Sequence, residues 1–109
     1  MEKKVVLLLH NLGIKATYRG YYYLIYALPV CLEDENFLLH RGKLLYPDMA
    51  KHFQTNKDNI EHCIRTVIEA CWKKGNREFL KQIAGYPLKN SPSVGDFFDI
   101  LIHYLKYNI

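Results

Sequence analysis

Nothing in this 109-residue sequence marks a β-hairpin: no Asn-Gly or Asp-Gly pair joins two alternating segments. Cysteine is scarce and odd in number. Cys31, Cys63 and Cys71 include no C-x-x-C pair, which argues against a disulfide framework and a zinc module and makes a reducing cytoplasm the natural setting. The apolar run near the start, Val5 to Leu9, gives way to His10 and Asn11, too soon for a membrane span or a signal peptide. His10, His40, His52, His62 and His103 show no repeated ligand spacing, so no metal site is expected. A Gly-rich phosphate loop, a nucleophile elbow and a paired-carboxylate cleft are all missing, so no enzyme and no cofactor is expected. Low-complexity tracts are absent too, and half the residues are hydrophobic, as in a globular protein. A net charge of +4 is compatible with a polyanionic partner without demanding one. The length suits one folding unit, residues 1–109, with no room for a second regulatory domain.

Apolar positions recur at three and four, which predicts an all-α domain. A first helix is expected over about Lys3 to Leu12, stopped by Gly13, and a second over Arg19 to Leu32, kinked or cut short at Pro29. Tyr21, Tyr22 and Tyr23 cannot all face inward, because successive helical residues point about 100° apart. After the acidic Glu33 to Glu35 comes a short helix around Asn36 to Arg41. Pro47 suits the first turn of another, ending near Phe53, with Asp48 near the positive end of its dipole. Thr55 and Asp58 approximate a capping box, and Ile60, Cys63, Ile64, Val67, Ile68 and Cys71 then form one stripe of a long helix that Gly75 stops. Two more helices follow, Asn76 to Ala84 and one opened by Ser93 with Asp96.

A short helix, a turn at Gln54 and Thr55, and a long amphipathic helix from Asn56 to Trp72 make a helix-turn-helix, the unit that proteins insert into the major groove. The apolar stripe would anchor the second helix while its outer face meets DNA. Asn59 and Glu61 have the chemistry to read adenine and cytosine, and Arg65 to reach guanine or phosphate. Thr55, Lys57 and Thr66 suit phosphate contacts, which set register.

Five separated blocks carry a resemblance: HNLGIKA at His10 to Ala16, RGYYYL at Arg19 to Leu24, KLLYPDMAKHF at Lys43 to Phe53, IRTVIEACWKKGN at Ile64 to Asn76, and AGY at Ala84 to Tyr86. In this order, from about Val5 to Tyr107, the chain resembles the C-terminal DNA-binding effector domain of the sporulation response regulator, stage zero sporulation protein A. The resemblance implies a compact six-helix fold, a recognition helix near Asn56 to Trp72, and transcriptional control by binding double-stranded DNA as a homodimer on adjacent sites. Glu61 and Arg65 match residue types that the family presents to DNA; Asn59 and His62 stand where it presents arginines, and Thr66 where it has a histidine. Lys73, Lys74, Asn76 and Arg77 correspond to a region that faces the RNA polymerase sigma factor in the family, whose receiver domain has no counterpart in this chain. The alternative is a protein-interaction module of the same fold that has lost base reading at Asn59 and His62. Cys63, Cys71 and Trp72 are read as core residues.

Overall fold

Helical periodicity is realised along the chain in this computed structural model, which describes residues 1–108. The elements are α1 (Glu2–Asn11), α2 (Arg19–Glu33), α3 (Glu35–Leu39), a π-turn (Arg41–Leu45), α4 (Tyr46–His52), α5 (Lys57–Lys73), α6 (Arg77–Ala84) and α7 (Val94–Tyr107). No strand occurs among the described residues. The six-helix plan is therefore present, with a small α3 and a π-turn inserted before α4.

A common core joins α1, α2, α4, α5 and α7. Leu8, Leu9, Leu24, Leu28, Ile64, Ile68, Phe97 and Leu101 are all buried in it, and each such side chain stabilises the fold by roughly 1.5–3 kcal/mol through area removed from water. The helices α2 and α5 cross closely. A Cβ at Gly20 would meet the Cys63 carbonyl oxygen at 2.5 Å and Val67 Cγ2 at 2.4 Å, so only glycine lets the two backbones approach this nearly.

Pro29 does not end α2, which runs on to Glu33. Buried Ala27, Leu28 and Cys31 hold both sides of the proline against the core. The cost is one helical hydrogen bond, the one that Pro29 cannot donate to the Ile25 carbonyl. Tyr21 and Tyr23 are buried and Tyr22 is 52% exposed, as the angular argument requires.

The end of α1 meets the end of α5 at its backbone carbonyls, which accept from both backbone and side-chain donors. Gly13 adopts φ +76°; the Leu8, Leu9 and His10 carbonyls are served by the N–H groups of Leu12, Ile14 and Gly13, while those of Asn11 and Leu12 are satisfied by residues distant in sequence. Asn76 donates its backbone N–H to the Leu12 carbonyl at 2.9 Å and its side-chain amide to the Asn11 carbonyl at 3.0 Å, and the Cys71 thiol donates to Leu12 at 3.4 Å. Gly75 follows α5 as expected, but for a different reason from a left-handed stop. A Cβ there would meet the Leu12 carbonyl oxygen at 2.7 Å.

Candidate nucleic-acid interface

The short helix α4 is set in place by three side chains. Tyr46 and Met49 are buried, and Asp48 accepts a hydrogen bond from the Tyr26 hydroxyl at 2.8 Å, so the carboxylate ties α4 to α2 as well as facing a helix N-terminus. That bond, with burial and the carboxylate's charge, raises the Tyr26 pKa above its ordinary value. Phe53 closes α4 by packing on Tyr23 at 4.7 Å and Tyr26 at 5.5 Å between ring centres. The chain then turns through Gln54, whose φ of 54° lies in the left-handed region.

Asn56, not Thr55, caps α5: its side-chain oxygen accepts from the Asn59 backbone N–H at 2.8 Å. Thr55 and Asn56 are both good capping types at adjacent positions, and the turn geometry gives extended backbone to Asn56 (φ −118°, ψ 164°), so the Thr55–Asp58 box does not form. Thr55 instead accepts from the Asn59 side-chain amide at 3.0 Å. Asn59 also donates to the Tyr23 hydroxyl at 3.2 Å, and its amide oxygen faces the Cys63 thiol at 3.6 Å. Its amide is thus turned inward and engaged, bridging the start of α5 to α2.

The stripe of α5 is buried at Ile60, Ile64, Val67, Ile68 and Cys71, while Cys63 is half-buried at its edge. Burial pushes the Cys71 and Cys31 thiols up to about 11, as for small hydrophobic side chains. On the outer side Lys57, His62, Arg65 and Thr66 stand exposed, with Glu61 half-buried between them. Arg65 pairs with Glu61 one turn earlier. Such a solvated pair adds only about 0.3–0.5 kcal/mol to stability, so its consequence is to hold the guanidinium fork in place. Thr66 donates its hydroxyl proton back to the His62 carbonyl at 3.0 Å, so that proton is used within the helix although the side chain is exposed.

In the last turn of α5 Lys73 pairs with Glu69 at 3.5 Å, and beyond it Asn76 caps α6 by accepting from the Phe79 backbone N–H at 3.1 Å. Lys74 and Arg77 are exposed. Trp72 is not a closed core anchor: it is half-buried, with Arg77 5.2 Å and Lys81 5.6 Å from its ring centre. Sequence reasoning missed Arg41. It lines a cleft of about 460 Å³ with Tyr46, Glu61, Arg65 and Gly95, contributed by the π-turn, α4, α5 and α7, and no local motif announces such a meeting. Burial raises the Tyr46 pKa there, and the adjacent Arg41 opposes that shift. No helix among the described residues is long and apolar enough to cross a membrane.

A scaffold helix, a tight turn and a core-anchored second helix with a polar outer face define an all-α helix-turn-helix domain. The chain matches the family described as sporulation initiation factor Spo0A C terminal over residues 5–105, and it belongs to that family. The family's role is DNA-binding transcription regulation, which sets the class of this protein and is not that of an enzyme.

Proposed function

We propose that this protein is a sequence-specific transcription regulator that inserts α5 into the major groove of duplex DNA. The observation that carries the reading is the free outer face of α5, where His62, Arg65 and Thr66 are exposed on a helix anchored by its opposite side. Arg65, steadied by Oε1 of Glu61, reads guanine; the other Glu61 oxygen accepts from cytosine; His62 reaches a neighbouring base edge. The exposed Thr66 side chain suits a thymine methyl better than a phosphate, since its hydroxyl proton is used within the helix. Lys57, on the first turn of α5, and the Thr55 hydroxyl hydrogen contact phosphates. Asn59 acts as a bracket behind this surface. Binding as a dimer on adjacent sites, and contact of Lys74 and Arg77 with a polymerase sigma factor, complete the proposal. Lys73 and Asn76 support that second surface indirectly, because both already hold intramolecular partners.

Selection of bound duplexes from a random library tests it. A defined site should emerge, and Arg65→Ala should weaken binding to that site by roughly tenfold to a hundredfold, the worth of one good bidentate base contact of about 1–3 kcal/mol. Negligible binding to every duplex at low salt would sink the reading.

A second reading is favoured by the inward Asn59 amide and by the acidic Asp58, Glu61 and Glu69 on α5: a protein-interaction module that pairs with a regulator or polymerase. The Asn59→Arg, His62→Arg double substitution separates the two. A selected site that appears only in the substituted protein supports the interaction module, and one that appears in the natural chain supports direct reading.

A further inference from the structure

Arg41 occupies an electrostatically unfavourable place. It is half-buried at the start of the π-turn, and its Nε is shut off from solvent with no hydrogen-bond partner. Its contacts to acceptors are weak: Nη1 reaches the Leu38 carbonyl at a long 3.4 Å, and the neutral Tyr46 hydroxyl beside it is the other acceptor at hand. Among the described residues no carboxylate forms an ion pair with it, and Glu61, which lines the same cleft, is committed to Arg65. The guanidinium lies over the first turn of α7, where a Cβ at Gly95 would meet Nη2 at 2.9 Å. That turn is the positive end of a helix dipole.

Two guanidinium groups therefore line one cleft, one of them with a buried donor left unmade. A donor withheld from water and from any acceptor is destabilising, and so is crowding of like charge. An anion between Arg41 and Arg65 gives the Arg41 charge, which has no ion-pair partner among the described residues, a counter-ion within the cleft, and the planar fork of arginine matches phosphate oxygens two at a time. The cleft borders the same turn of α5 that presents Glu61 and Arg65 outward, so whatever sits in it lies beside the bases those residues would read.

We propose that the Arg41–Arg65 cleft seats a backbone phosphate of the DNA duplex that α5 engages, with Arg41 as the fixed clamp and Arg65 at the junction between phosphate and base. This rests on the DNA-binding reading above. Arg41 supplies affinity and register and carries no sequence information, and Gly95 serves it by leaving room for the guanidinium.

The test uses the whole chain and a duplex selected by the natural protein, with affinity followed across a salt series. Arg41→Gln should weaken binding roughly tenfold on every duplex sequence and reduce the slope of log affinity against log salt by about one. Gly95→Ala, which displaces the guanidinium and keeps its charge, should weaken binding less and leave base preference unchanged. Replacing single phosphates by neutral methylphosphonates should reveal one backbone position that matters to the natural chain and not to Arg41→Gln. Duplex binding by the natural chain with an unchanged slope in Arg41→Gln overturns the clamp alone; no duplex binding by the natural chain removes the DNA-binding reading and the clamp together. If Arg41→Gln does not fold, the methylphosphonate series read against Gly95→Ala decides, and identical profiles for that variant and the natural chain overturn the clamp.

Discussion

At its C-terminal end α5 is fastened by a close backbone approach, Gly75 pressed on the Leu12 carbonyl and the Asn76 N–H donating to it, to which the Asn76 amide and the Cys71 thiol add side-chain hydrogen bonds. At its N-terminal end it is fastened by side-chain hydrogen bonds: the Asn56 cap and the Asn59 amide shared between Thr55 and Tyr23. Backbone contacts have no rotamers to give, whereas a side-chain amide can be exchanged for another group at modest expense. The difference teaches that the end of α5 nearest the proposed DNA surface is the adjustable one. Positions there can change to alter recognition without unseating the helix.

The largest expected effect lies at the rigid end. An alanine at Gly75 would bring its Cβ to 2.7 Å from the Leu12 oxygen and 2.9 Å from Cys71 Cα, and both are backbone atoms that cannot swing aside. Gly75→Ala should therefore lower stability by about 2–3 kcal/mol, as overpacking does, read as a shift of the chemical-denaturation midpoint at unchanged slope. Equal losses in Gly75→Ala and in the Asn56→Ala cap variant, where about 1 kcal/mol is expected, would break the contrast between the two ends.

A smaller effect is expected at Asn59. Asn59→Ala removes three side-chain hydrogen bonds at the edge of the core, one of them the weak one from the Cys63 thiol, and the loss should be roughly 1 kcal/mol because water can partly replace them. Duplex preference should be kept once the variant is folded, since the amide points away from the outer face. A preference altered at one base position, with stability unchanged, would show instead that Asn59 turns outward to read DNA.

How much of this was legible beforehand follows the range of the interactions. The buried stripe of α5, the Ser93 cap whose oxygen accepts from the Asp96 backbone N–H at 3.1 Å, and the glycine stops after α1 and α6 are set by neighbours within a turn or two, and periodicity and capping chemistry predict them. The inward Asn59 depends on Tyr23, 36 residues earlier, and the Arg41 cleft on Gly95 in another helix. No local pattern encodes either. The choice of Asn56 over Thr55 as cap is a near-tie in propensity that the Gln54 turn decides. Pro29 shows the reverse, a strong local signal overridden by packing on both sides.

That turn gives the smallest and sharpest test of the adjustable end. A glutamine held at φ 54° is destabilised by about 1 kcal/mol relative to glycine, which reaches this region freely. Glycine, however, loses about 0.5–1 kcal/mol more on folding through its wider unfolded ensemble. The two nearly cancel, so Gln54→Gly should move stability by less than about 0.5 kcal/mol, while Gln54→Val, branched at Cβ, should lose about 1–2 kcal/mol. Thermal or denaturant midpoints of the pair supply the comparison. A large loss in Gln54→Gly would mean that the glutamine side chain itself holds the start of α5, adding a third side-chain tether to the two at Asn56 and Asn59. Equal midpoints for the glycine and valine variants would mean that the turn relaxes out of the left-handed region, and the entry angle of α5 would then be set by Phe53 packing on Tyr23 and Tyr26 alone.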